Sequence, residues 1–206
     1  MLKAGSYKYA LVIGSEKMSE IVNWKDRSVC VLFGDGAGAV VLKAVDNNTE
    51  DVTGALVGHE RGIIDSNIYN DGTGASVLTG GRRFSDSCST DIFIHMDGQE
   101  VFKFAVKSVP TAIETLLHNN NMDINDVDKF ILHQANVRII ESVAKRLKAD
   151  KDKFPVNLNE YGNTSSASIP ILLDELNRNG SLKQGEKLVL AGFGAGLSWG
   201  SILLVW

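Results

Sequence analysis

The sequence predicts an α/β fold with a mixed β-sheet, and three observations carry that prediction. Short apolar runs rich in β-branched residues recur and close on glycine, as buried strands do. Other segments space their apolar residues at a helical period. The C-terminal residues place two apolar runs on either side of a glycine-rich turn, as in an antiparallel pair.

Taken in order, "YKYALVIGS" (7–15) and "VCVLFGDGAGAVVLKAV" (29–45) predict three strands, with a glycine-rich bend at Gly34 to Gly38. A further apolar run begins at "GALVGHERG". Residues 64–92 then lose periodicity and collect Gly, Asp, Asn and Ser, the composition of a long loop or flap. In 98–120 the apolar set Val101, Phe104, Ala105, Val109, Ala112, Ile113 and Leu116 predicts one long helix, with a kink at Pro110. "VDKFIL" reads as a strand and "NVRIIESVAKRLK" as an amphipathic helix. His133 therefore falls at the carboxyl end of a strand, where open α/β sheets bind ligands. Ser166 or Ser168 can cap the next helix, which has Pro170 in its first turn and stops at Gly180. Asn163 precedes that helix. "EKLVLAGFGAG" and "LSWGSILLVW" supply the final strand pair.

The composition narrows the function. With 44% apolar residues and 3 prolines in 206 residues, the chain is expected to be ordered and globular. Its 21 basic and 25 acidic side chains give a net charge of −4, too mild to suggest nucleic acid. No apolar stretch is long enough for a membrane span, and the N-terminus lacks the apolar core of a signal peptide, so a cytoplasmic location is expected. The two cysteines, Cys30 and Cys88, form no CxxC pair. Asn47 and Asn163 begin N-x-[ST] triplets that carry no meaning in a cytosolic chain. His59, His95 and His118 have no companions at metal-ligand spacing, so no metal is expected. "GDGAGA" lacks both the spacing and the lysine of a phosphate-binding loop, and tight strand packing explains it better.

What remains is a His at one strand-to-helix junction, an Asn at another, and "GFGAG", whose backbone N–H groups can be aimed into a cavity. Singly, each has an ordinary structural explanation as a satisfied polar residue, a turn former or a hairpin turn. Together they suggest acyl-transfer chemistry.

In this order, "FGDGAGA", "GQEVFKFAV", "HQANVRI", "YGNTSSASIP" and "GFGAGLSWG" resemble the C-terminal portion of the β-ketoacyl-acyl-carrier-protein synthase III family, over essentially the whole chain. The resemblance implies a thiolase-like fold, layered αβαβα in the whole enzyme. It places the end of the N-terminal half at 1–50, a connecting strand and flap at 51–92 and the C-terminal half at 93–206. It also implies a homodimer with a Cys-His-Asn site that condenses an acyl-CoA, acetyl-CoA above all, with malonyl-carrier protein to start fatty acid synthesis. These are substrates, and no cofactor is implied.

By the same resemblance His133 and Asn163 are the catalytic pair, and Gly194, Ala195 and Gly196 form the oxyanion loop. Ala195 stands where the family usually has glycine. Gln134, Ala135, Asn136, Val137 and Arg138 form the carrier-protein segment, and Arg27, Gly98 and Asn136 meet CoA. Read by itself, Arg138 is equally a cation at a tunnel mouth or part of a solvated helix face. Cys30 is expected inside a buried strand and Cys88 in the flap. Neither has the strand-to-helix setting that activates a thiol. The family's nucleophile falls before Met1, so the chain is expected to be inactive without an N-terminal portion. The alternative is a non-catalytic module that binds CoA or carrier protein.

Overall fold

The computed structural model describes residues 2, 4–45, 61–80 and 93–206, and the backbone alone of 49–50 and 56–57. In chain order the strands and helices are β1 (Tyr9–Glu16), β2 (Gly36–Lys43), β3 (Thr49–Glu50), β4 (Leu56–Val57), β5 (Gly62–Asn70), β6 (Leu78–Gly80), β7 (Ile94–Met96), α1 (Gly98–Asn119), β8 (Lys129–Leu132), α2 (Val137–Leu147), α3 (Leu158–Tyr161), α4 (Ser168–Arg178), β9 (Lys187–Gly194) and β10 (Ser198–Val205). Four strands form a mixed sheet ordered β5-β10-β9-β8. Within it β8 runs parallel to β9, and β10 is antiparallel to both β9 and β5.

Side chains on successive strand residues point to opposite faces, and here each face has its own cover. Phe130, Leu132, Val189, Ala191 and Leu203 join the buried face shared by α1 and α2. Ile131 and Leu188 join Leu172, Leu173 and Leu176 of α4 on the other. The β1–β2 hairpin lies on the far side of α4, so helices and sheets alternate in four layers, αβαβ. Glycines permit that last contact. A Cβ at Gly14 would lie 2.5 Å from the Ser166 carbonyl oxygen, and one at Gly38 would lie 2.9 Å from Pro170 Cβ. The opposite face of the hairpin, with Tyr9, Leu11, Ile13 and Val41, is exposed.

α1 covers the predicted span and buries Val101, Ala105, Val109, Ala112, Ile113 and Leu116, with Leu117 in addition. Phe104 is half-buried and stacks edge-on against Trp199. The helix runs unbroken through Pro110. That proline cannot donate to the Val106 carbonyl, and Arg146 of α2 donates to it instead (Nη1–O 3.4 Å).

Three expectations are corrected. Residues 29–32 are turns, not a strand. The Asp26 carbonyl accepts the N–H groups of Val29 and Cys30 while its carboxylate accepts from Ser28, and these local bonds outcompete the extended state. Gly36–Gly38, expected in a bend, belong to β2. Residues 64–70, expected in a loop, complete β5 at the sheet edge. Their polar side chains hid the pattern. Asn67 donates to the Ala112 carbonyl of α1 and accepts from Ser201, and Asp65 accepts from Asn120. Further along the expected loop, Leu78–Gly80 form β6, paired antiparallel with β7, and residues 81–92 with Cys88 lie outside the described residues, as do 46–48, 51–55 and 58–60. No described helix is long and apolar enough to cross a membrane.

Candidate active site

His133 is the first residue after β8. Leu132 pairs with Ala191 in the parallel register, and the His133 backbone N–H donates to the Ala191 carbonyl (2.8 Å). This ties the histidine to β9, whose next two residues lead into the glycine loop. The Phe193 ring meets the imidazole edge-on, with centroids 5.4 Å apart. On the other side, Nδ1 lies 2.6 Å from Ser168 Oγ at the first residue of α4. Burial pushes the imidazole down to about 4, so His133 is neutral at pH 7.

Asn163 sits in the turn ahead of α4 and is 8% exposed. Its backbone is clamped by the N-terminal residues: its N–H donates to Leu32, and its carbonyl accepts from Gly34. The side-chain Oδ1 accepts the Ser165 N–H (2.9 Å), which fixes the amide orientation. Among the described residues no acceptor takes the Nδ2 hydrogens. Neither serine named as a possible cap fills that role. Ser165–Ala167 form a short 3₁₀ turn, Ala167 holds the cap position, and the Ser168 hydroxyl is turned toward His133.

The glycine loop joins β9 to β10. Ala195 is exposed, and Gly194 and Gly196 are half-buried. Gly196 has φ +142°, and a Cβ there would lie 2.3 Å from Ser198 Oγ, so this position requires glycine. The loop is braced by the end of β5. Asp71 and Leu197 exchange backbone hydrogen bonds (2.7 and 2.8 Å), and Ser198 Oγ donates to Asn70 Oδ1 (2.7 Å). The sequence reading missed both Ser168 and this brace. For Ser168 the available signal was "SASIP", a serine two residues before the proline of a helix first turn.

The segment after His133 divides by exposure. Gln134 is 1% exposed: its Nε2 donates to the Leu132 carbonyl, and its Oε1 accepts from the Asn157 N–H. It braces the junction, leaving contact surface to its neighbours. Ala135 is half-buried and packs on the core. Asn136 caps α2, its Oδ1 accepting from the Arg138 N–H (2.9 Å), while Val137 and Arg138 are exposed. Elsewhere, Gly98 and Asp26, the residue before exposed Arg27, line one open depression of about 640 Å³ with His95 and Gln99. Asn136 is not part of it. Cys30 is half-buried in its turn. No cluster of possible metal ligands occurs among the described residues.

Alternating αβαβ layers, with a His and a glycine loop at strand ends and an Asn in the turn ahead of a helix, define a thiolase-like α/β protein. Residues 117–206 match the family model described as 3-oxoacyl-[acyl-carrier-protein (ACP)] synthase III C terminal, and residues 1–72 match that of 3-oxoacyl-[acyl-carrier-protein (ACP)] synthase III. The chain belongs to the 3-oxoacyl-ACP synthase III family. Beta-ketoacyl-[acyl-carrier-protein] synthase III of Clostridium acetobutylicum is 45% identical over 211 residues, covering 100% of this chain and 61% of that protein. The synthase III of Clostridium tetani is 43% identical, covering 100% and 62%. Among solved structures, 3-oxoacyl-[acyl-carrier-protein] synthase III from Aquifex aeolicus superposes with a TM-score of 0.86 at 41% identity, covering 100% of this chain and 60% of that one. The Pseudomonas aeruginosa enzyme gives 0.86 at 36%, with the same coverage. The chain thus spans about three-fifths of the length of these relatives.

Proposed function

We propose that this chain supplies the His-Asn half of a decarboxylating condensation, in which an acyl group from an acyl-CoA, acetyl above all, is joined to malonyl-ACP. The observation that supports this most is a neutral, half-buried His133 packed against the strand that opens into the glycine loop. Loss of CO2 from the malonyl thioester leaves an enolate, whose charge sits largely on the thioester oxygen. An imidazole N–H and the Asn163 Nδ2–H donate to that oxygen, and neither brings a competing charge. The enolate carbon then attacks an acyl-cysteine thioester and the thiolate leaves. The oxyanion of that step is held by backbone N–H groups, one of them at Ala195.

The cysteine is supplied by a separate portion. Cys30 sits in a hydrogen-bonded turn that leads on to β2, without the strand-to-helix setting of a nucleophilic cysteine. The exposed apolar face of β1 and β2 is the surface on which such a portion would pack. Val137 and Arg138 face the carrier protein, with Arg138 attracting its phosphopantetheine phosphate or an acidic helix. Gly98 lines the depression that takes CoA, and Arg27 follows its lining residue Asp26 in the chain.

The test combines the purified chain with the cysteine-bearing N-terminal portion of a relative. Condensation of acetyl-CoA with malonyl-ACP is expected only in the mixture. His133→Ala is expected to lower malonyl-ACP decarboxylation at least ~100-fold, the scale of losing one preorganised donor. Turnover by the chain alone would overturn the need for a separate cysteine. Binding of CoA or ACP without condensation in the mixture would make the chain a binding module.

A further inference from the structure

Ser168 is 2% exposed, and its hydroxyl oxygen has two polar neighbours among the described residues: His133 Nδ1 at 2.6 Å and the Gln134 backbone nitrogen at 3.3 Å. A backbone N–H can only donate, so Oγ accepts there. The hydroxyl has one hydrogen, and His133 Nδ1 is its only acceptor among the described residues. We propose that Ser168 is a positioning residue, whose hydroxyl donates to His133 Nδ1 and locks the imidazole in the tautomer that carries its proton on Nε2.

The alternative assignment fails on hydrogen-bond accounting. Were Nδ1 protonated, it would donate to Oγ, leaving a buried hydroxyl hydrogen with no acceptor, a cost of about 1–3 kcal/mol. A doubly protonated ring has the same defect. It would also place a cation at the amino end of α4, an 11-residue helix whose dipole disfavours it there. Burial independently holds the ring neutral at pH 7, so one ring nitrogen must be an acceptor, and the serine selects which. The consequence concerns the remaining nitrogen. Nε2–H becomes a permanent donor, as the proposed enolate step requires. The assignment deepens that functional reading, and its use in catalysis rests on it, but the tautomer itself does not.

The experiment is long-range ¹H–¹⁵N correlation NMR at pH 7 on the chain labelled with ¹⁵N-histidine, with His133 assigned by its loss in His133→Gln. A single form is expected, with a pyrrole-type Nε2 and a hydrogen-bonded pyridine-type Nδ1. In Ser168→Ala the two shifts should draw together as a second tautomer becomes populated, while Ser168→Thr, which keeps the hydroxyl, should restore the original pattern. A protonated Nδ1 in the unsubstituted chain would overturn the proposal whatever the variants do. So would an unchanged His133 spectrum in Ser168→Ala. In the reconstituted enzyme, Ser168→Ala should reduce kcat tenfold or more with KM little changed. A locked tautomer together with full activity in His133→Ala would instead overturn the functional reading and leave the serine's role standing.

Discussion

At the scale of single residues, the candidate site is built from groups held by hydrogen bonds within the chain. His133 is the clearest case. Its native value lies near 4 against an ordinary 6.5, so between those limits the unfolded chain binds a proton that the folded chain refuses. Stability is therefore unaffected above about pH 6.5 and falls as pH drops from 6.5 toward 4. The loss is at most about 3 kcal/mol, and His133→Gln should flatten that part of a urea-denaturation pH series. At the glycine loop, Gly196→Ala should destabilise by about 1–3 kcal/mol, because it needs a positive φ and meets Ser198. Chemical denaturation reads this directly. His133, Asn163 and the glycine loop were legible as residue types at strand and helix ends. Ser168 was not, because a serine before a helix is so often a cap that its contact with a residue 35 positions away leaves no local trace.

Elements hold these residues through their ends. Asn136 both closes the junction after His133 and caps α2, so Asn136→Ala should cost about 1 kcal/mol, seen as a lowered denaturation midpoint with unchanged slope. The three longer helices, α1, α2 and α4, were readable because a 3.6-residue apolar stripe survives whatever the helix packs against. Strand β5 was unreadable for the opposite reason. As an edge strand it spends Asp65 and Asn67 on hydrogen bonds to α1 and β10, which erases the alternation that marks a strand. Residues 29–32 mislead in the reverse sense: they are apolar and β-branched, yet Asp26 and Ser28 turn them locally. Pro110 was expected to kink α1, and only the placement of Arg146 on α2 shows how the freed carbonyl is satisfied.

On the scale of the whole molecule, the layers depend on a few close approaches. The hairpin is held to the C-terminal unit by the Leu32–Asn163–Gly34 bonds, by Glu16 accepting from Ser166, and by glycines that admit the residues around the start of α4. Gly14→Val should detach the hairpin, exposing the Gly34 and Asn163 amides to hydrogen exchange while those of β8 and β9 stay protected. The hairpin's outer face is apolar: Tyr9, Leu11, Ile13 and Val41 are each at least 60% exposed. Such a patch favours association. The chain alone should self-associate in sedimentation velocity, and Leu11→Lys with Ile13→Glu should suppress this without changing its circular dichroism.

The sequence by itself determined the fold class, the three longer helices, the final strand pair and the residue types of the candidate site, because periodicity, glycine and residue type are local properties. Only the tertiary structure decided that β5 completes the sheet, that Gln134 is a brace and that Ser168 faces His133. Each of those depends on hydrogen bonds between residues distant in the chain, and pairings of that kind leave no periodic signal in the sequence.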